Sequence, residues 1–323
     1  MKFAIAGAGA IGAYLGAMLQ RSGEDVSLIA RGPHLDAIQS NGLRIITKNE
    51  DFVTHPAATS NPTDIGTVDV VVLTVKAHSV PDIAPTLRPL LHKTTTVISA
   101  QNGIPWWYFK RHEGPLQGIT LQSLDPKGLI DKTIDSSRIV GCIVYPATII
   151  ETPGVIRHIE GDRLSLGELV ECRSARLQSL SKIFAKAGFR SRINTRIREE
   201  LWLKLLGNVA FNPISALTRA TLAEITSDPD MTEIVRHIMK ESEKVTKKLG
   251  LNLRMTIEQR LVAAGKVGNH KTSMLQDLEA GRPIELESLV GVVLELGEIL
   301  DIPMPYTKSI YSYVKLLTKT SST

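Results

Sequence analysis

Between residues 198 and 212, four polar side chains recur every fourth position in an otherwise apolar run: Glu200, Lys204, Asn208 and Asn212. On a helix that spacing puts them on one face, drifting slowly round the axis. Leu, Trp, Val and Phe surround them, so a lysine and two amides there are at least partly buried, and buried polar groups need partners. Such a face meets other polar groups or a ligand. The plainer alternative is a surface Glu200–Lys204 ion pair followed by ordinary amides. The apolar density around Lys204 favours a site.

A second pattern lies at the start of the chain. Gly7-Ala8-Gly9-Ala10-Ile11-Gly12 follows a short apolar run and precedes a small-residue, helix-compatible segment. Strand, glycine turn and helix are the context in which G-x-G-x-x-G binds a dinucleotide. The first glycine allows the tight turn, the second lets backbone approach a pyrophosphate, and the third lets helix and sheet pack closely. The helix N-terminus adds free N–H groups and partial positive charge. The alternative is a buried Gly/Ala-rich helix without a ligand. A second strand, 25–31, ends in Arg31 rather than in the Asp or Glu that holds a ribose 2′-hydroxyl. An arginine there suits a 2′-phosphate, so NADP(H) is favoured over NAD, against the alternative of a solvent-facing loop arginine.

Further strands are expected at 68–75, 95–100, 116–121 and 138–145. The first two end at Lys76 and at Gln101-Asn102-Gly103, on the carboxyl edge where ligands sit in open α/β sheets. Lys76 there either faces the cofactor or stands in water, and Asn102 belongs to a common turn dipeptide. Residues 154–158 and 163–166 alternate like an antiparallel edge, and 176–187 reads as a helix closing the first domain. The aromatic run Trp106-Trp107-Tyr108-Phe109 either walls a site or caps the sheet. After about residue 194 the pattern turns to long helical periods. Ser273-Met274-Leu275-Gln276 reads as a capping box, and Pro283 suits the first turn of a helix whose dipole Glu285 and Glu287 complement. The expected fold is therefore α/β: a doubly wound Rossmann domain over 1–194, then an all-helical domain over 195–323.

The composition bounds the function. With 323 residues, 43% hydrophobic, the chain is globular. The net charge of +5 is spread among both signs, against a nucleic-acid stripe. The two cysteines, Cys142 and Cys172, and eight scattered histidines show no zinc spacing, so no metal is expected, and a reducing, cytoplasmic setting is the default. The uncharged stretch 3–19 is interrupted by the glycine turn, which argues against a signal peptide or membrane span. The apolar carboxyl-terminal helices pack internally or form a homodimer.

Taken together, the segments resemble the ketopantoate reductase family. The marks are Gly7 to Gly12 with Arg31, Thr74-Val75-Lys76-Ala77, Gln101-Asn102-Gly103, Glu200-Leu201-Trp202-Leu203-Lys204-Leu205, Asn208 with Asn212-Pro213, and Ser273-Met274-Leu275-Gln276-Asp277 leading to Arg282-Pro283-Ile284-Glu285. The resemblance implies NADPH-dependent reduction of 2-dehydropantoate to (R)-pantoate, a step towards pantothenate, in a cleft between the two domains. It implies Lys204 as general acid and Glu285 as the group orienting it and the substrate. Asn102 would contact both ligands beside the nicotinamide, Asn208, Asn212 and Ser273 would hold the substrate, and Lys76 would lie near cofactor and Asn102. Together with Gly7, Gly9, Ala10, Ile11, Gly12 and Arg31, the residues Lys76, Asn102 and Glu285 make up the implied cofactor set. Gly141-Cys142-Ile143-Val144-Tyr145, with Trp106-Trp107-Tyr108, departs from the pattern near the expected nicotinamide end. That leaves open a paralogue acting on another 2-oxo acid. Readings outside this one are a non-catalytic NADP-sensing regulator, which would not need Lys204 or Glu285, and a hydroxyacid or opine-type oxidoreductase.

Overall fold

The computed structural model describes residues 1–114 and 116–320. They form two units. The first comprises Met1–Gln101, Pro105–Ile119 and Lys127–Ile197, and the second Asn102–Ile104, Thr120–Pro126 and Arg198–Thr323. Two short stretches from the first half of the sequence therefore belong to the second unit, which the linear pattern does not reveal.

The first unit runs β1 (Lys2–Ala6), α1 (Ala10–Arg21), β2 (Asp25–Ile29), α2 (Gly32–Asn41), β3 (Leu43–Ile46), β4 (Asp51–Thr54), β5 (Ala57–Thr59), β6 (Val70–Leu73), α3 (Val80–Ile83), β7 (Thr96–Ser99), β8 (Ile139–Val144), β9 (Ala147–Thr152), β10 (Val155–Glu160), β11 (Arg163–Glu168), α4 (Ala175–Lys186) and β12 (Arg190–Ile193). The main sheet has the order β12-β11-β8-β7-β6-β1-β2-β5. Its strands are parallel from β5 to β8, and β11 joins β8 antiparallel. The β-branched β6, Val70-Val71-Val72-Leu73, is buried throughout, as a strand covered on both faces requires. A second sheet, β4-β3-β10-β9, was not foreseen.

Helix α1 packs against strands of both sheets, which explains why it is built from small and apolar residues and carries no charge before Arg21. Tyr14 on this helix stacks on His158 at 4.9 Å and meets the edge of Phe189 at 5.6 Å. Residues 154–158 and 163–166 do not make one antiparallel edge: β10 lies in the small sheet and β11 in the main one. Nor is 116–121 a strand. Its described residues are turns and irregular chain, anchored where the Phe109 carbonyl accepts from Gly118 N–H at 2.8 Å. Trp107, 2% exposed, covers Gly141 of β8, where a Cβ would stand 2.8 Å from the indole, and Cys142 joins the hydrophobic core. These two residues are thus packing elements of the sheet.

Glu168, at the end of β11 and nearly fully buried, is gripped by Arg176 and Ser174. Burial raises its pKa, but the hydrogen bonds from Arg176 and Ser174 and the Arg176 charge outweigh it, and the net direction is downward. A depressed carboxylate contributes stability that is complete above the unfolded value of about 4.3 and lost as pH falls through the folded one. Glu168→Gln is therefore expected to destabilise the first unit by about 2 kcal/mol at pH 7. Denaturant titration should show the difference shrinking below about pH 4.

The second unit is helical: α5 (Ile197–Thr218), α6 (Leu222–Ser227), α7 (Pro229–Lys248), α8 (Ile257–Val267), α9 (Ser273–Glu279), α10 (Val292–Ile299) and α11 (Pro305–Thr320). Its core joins Trp202, Leu205 and Val209 of α5 with Val235, Ile238 and Met239 of α7 and Val292, Val293 and Leu296 of α10. The buried Glu241 carboxylate accepts from the N–H groups of Tyr306 and Thr307 at 3.0 and 2.9 Å, capping α11 from a neighbouring helix. Two expected helix starts shift. Thr272, not Ser273, caps α9 through Leu275 N–H, and Ser273 is the first helical residue. Pro283 lies outside any first turn, because the helix begins at Leu286 and opens into a π-turn at Glu287–Gly291. Among the described residues no helix is long and apolar enough to cross a membrane.

Candidate active site

In the first unit the glycine loop connects β1 to α1. Gly7 has φ +103°, and a Cβ on it would stand 2.8 Å from Val75 N, so only glycine fits. A Cβ on Gly12 would collide with the Gly7 carbonyl and the Thr74 hydroxyl. A Cβ on Gly9, by contrast, would meet nothing within 4 Å. The loop is thus packed from behind and open at its middle. Gly9 is the N-cap of α1, no side chain caps that end, and the first turn, which includes Ala10, Ile11 and Gly12, holds no acid. Its N–H groups suit a phosphate, and the donor set fits a dinucleotide pyrophosphate. Thr74, part of the Thr74-Val75-Lys76-Ala77 motif, fixes the loop by donating to the Gly7 carbonyl at 2.7 Å. Arg31 is exposed directly before α2, and Lys76 is half-buried at the head of a short turn after β6. Gln101 straps the end of β7 to the Leu73 carbonyl at 2.6 Å.

In the second unit three of the expected residues converge. Lys204 Nζ donates to Asn102 Oδ1 at 2.8 Å, and Asn102 Nδ2 donates to Glu285 Oε2 at 3.4 Å. The charges at either end fix the amide orientation, oxygen to the ammonium and nitrogen to the carboxylate. Asn102 thus mediates between lysine and glutamate, a link that the sequence reading omits.

The backbone explains how a residue so distant in sequence is held there. Gly103 has φ +82° and lies against the Ser288 carbonyl, which also accepts the Ile104 N–H at 3.2 Å. Ser288 sits in the π-turn that follows Glu285, a distortion of the kind often found at functional sites. Further along α5, Asn208 is half-buried. Asn212 is 5% exposed, and its Nδ2 is a buried donor with no hydrogen-bond partner among the described residues. A buried unsatisfied amide donor is costly and points to an acceptor that a ligand would bring. Ser273 is exposed on α9, and its side chain makes no hydrogen bond with Lys204, Asn102 or Glu285. Chemically, the Lys204–Asn102–Glu285 chain is a positioned cation able to donate a proton, with its counter-charge one amide away.

A parallel α/β unit with a dinucleotide-type glycine loop, followed by a helical unit presenting an ordered lysine, defines a class of nucleotide-dependent oxidoreductase folds. Family models described as "Ketopantoate reductase PanE/ApbA" and "Ketopantoate reductase PanE/ApbA C terminal" match residues 3–171 and 196–318. A 2-dehydropantoate 2-reductase from Mesorhizobium japonicum is 45% identical over 318 residues, covering 98% of each chain. A solved structure from Ralstonia solanacearum MolK2 is similar with TM-score 0.95 at 37% identity, covering 99% of this chain and 98% of that one. A PanE/ApbA family ketopantoate reductase from Ralstonia eutropha JMP134 gives TM-score 0.87 at 28% identity over the full length of both. This chain belongs to the ketopantoate reductase family.

Proposed function

We propose that this protein reduces 2-dehydropantoate to (R)-pantoate with NADPH, in the cytoplasm, as a step of pantothenate biosynthesis. The first unit would serve as the NADP-binding domain and the second as the substrate and catalytic domain. The observation that carries the reading is the Lys204–Asn102–Glu285 hydrogen-bond chain. When bound, NADPH supplies the hydride. The open loop at Gly9 and the N-terminus of α1 would hold its pyrophosphate, and Arg31 its 2′-phosphate. Lys204 then donates to the ketone oxygen, stabilises the charge that develops there and delivers the proton. Glu285, through Asn102, limits the cost of holding an ammonium in an apolar wall. Asn212 Nδ2, with Asn208 and Ser273, would meet the substrate's oxygens.

The reading is tested by following NADPH oxidation with 2-dehydropantoate and a panel of other 2-oxo acids. Turnover of 2-dehydropantoate with the highest kcat/KM is expected, and no turnover of any panel member would remove it. Arg31→Ala is expected to raise the KM for NADPH about 10- to 100-fold while leaving that for NADH within about twofold, the loss of one charge-assisted pair. Equal changes for both nucleotides would place the 2′-phosphate elsewhere.

A further inference from the structure

The chain between Glu285 and α10 leaves the α register. Glu287–Gly291 form the π-turn, closed where the Val292 N–H donates to the Glu287 carbonyl. A π-turn holds one residue more than an α-turn, so it turns what precedes it about 100° round the axis relative to α10. Val292, Val293 and Leu296 fix α10 in the core. The direction in which Glu285 leaves that helix is therefore set by the turn. A turn of this kind is rare, and this one carries its own support. A Cβ at Gly291 would collide with Glu287 Oε2 and stand 3.4 Å from the ring of Tyr311. The missing side chain lets the Glu287 carboxylate fold back along the turn and meet α11. There Tyr311 donates its hydroxyl proton to Glu287 Oε1 at 2.8 Å and accepts from Lys315 Nζ, one helical turn further on, at 3.0 Å. The lysine occupies a lone pair of the hydroxyl oxygen, which leaves its one proton for the carboxylate.

We propose that the Glu287–Tyr311 bond holds the π-turn in place and so positions Glu285 and Asn102 against Lys204. The inference rests on the reductase reading above and deepens it: Glu287 and Tyr311 are positioning residues that act through Glu285. Four consecutive residues carry three attachments. Glu285 Oε2 accepts from Asn102 Nδ2, Glu287 Oε1 accepts from Tyr311, and the Ser288 carbonyl accepts the Ile104 N–H at 3.2 Å. The first and third fasten the turn to the 102–104 bend, and the second fastens it to α11. Without the second, the turn is held only by the segment it has to position. Relaxation towards the α register then swings the Glu285 carboxylate away from the Asn102 amide, whose bond to it is already long at 3.4 Å. Asn102 thereby loses the anchor that points its Oδ1 at the Lys204 ammonium, 2.8 Å away. A hydrogen bond to a charged group is among the stronger ones, so its loss is felt.

The test is steady-state reduction of 2-dehydropantoate by NADPH. Tyr311→Phe keeps the ring and removes the hydroxyl. It is expected to lower kcat about tenfold and to leave the KM values for NADPH and for the 2-oxo acid within about twofold. Glu287→Ala should match it. Glu287→Gln, whose amide oxygen still accepts from Tyr311, should recover most of the loss seen with Glu287→Ala. Gly291→Ala favours the helix yet pushes the carboxylate off the turn, so it should reproduce the kcat defect, and it decides the matter if Tyr311→Phe does not fold. A double-mutant cycle separates positioning from general packing. In an Asn102→Ala background, Tyr311→Phe is expected to change kcat by no more than about twofold, because the group it positions is gone. A tenfold fall in both backgrounds, or unchanged kcat in Tyr311→Phe and Glu287→Ala, overturns the inference while the reductase reading stands. Absence of turnover by the unmodified protein with every 2-oxo acid overturns both.

Discussion

Lys204→Ala is expected to lower kcat for the 2-oxo acid about 10²- to 10⁴-fold, the range for loss of a positioned general acid that also stabilises developing charge. NADPH binding, followed by fluorescence titration, should be unchanged, because the glycine loop and Arg31 belong to the first unit. The substitution leaves Asn102 bonded to Glu285 at 3.4 Å, so the frame around the missing ammonium persists. The result separates two roles for the lysine. If Lys204 only bound substrate, KM would rise and kcat at saturation would hold; an acid acting in the transition state lowers kcat itself. Lys204→Arg keeps a cation but not a proton donor of suitable acidity, and should remain slow. Wild-type kcat in Lys204→Ala would mean that the proton comes from another group and that the chain through Asn102 is structural.

How far the sequence carries depends on the distance over which each constraint acts. The glycine loop was legible because strand, glycine turn and helix are contiguous in sequence and Gly12 answers to the Gly7 carbonyl within the same turn, whereas the packing of Gly7 on Val75 and of Gly12 on Thr74 was not. The Lys204 face was legible because helical period four shows in the spacing alone. Asn102 was legible as a residue at the ligand edge of the sheet, but its bonds to Lys204 and Glu285 were not, since those partners lie 102 and 183 residues away and nothing local records them. The small sheet was missed for the same reason. The four-residue β3 and β4 carry weak β signals, and β3 finds its other neighbour in β10, far along the chain. At α9 the motif was sound and the register was not: Thr272 and Ser273 can each cap, and the tertiary fold chooses Thr272.

Gly103→Ala tests whether the approach of Asn102 to Lys204 depends on the backbone. Two penalties fall on an alanine there. The residue has φ +82°, and its new Cβ would land on the Ser288 carbonyl oxygen. The first penalty alone is about 1 to 2 kcal/mol. The second has no inexpensive relief, because Ser288 is buried in the π-turn and its carbonyl already accepts the Ile104 N–H. The bend 102–104 must therefore lift away, carrying the Asn102 amide out of reach of Lys204 Nζ and Glu285. A shift of about 1 Å at a catalytic group commonly costs about 100-fold, so kcat should fall by that order while NADPH binding persists. Gly250→Ala is the control. It has the same sign of φ, +72°, but its Cβ would meet nothing within 4 Å, so it carries the strain without the collision. Loss of kcat in Gly103→Ala but not in Gly250→Ala assigns the effect to the contact with Ser288. Retained kcat in Gly103→Ala would mean that the amide does not need this anchor, and the role of Asn102 as the spacer between ammonium and carboxylate would fall with it.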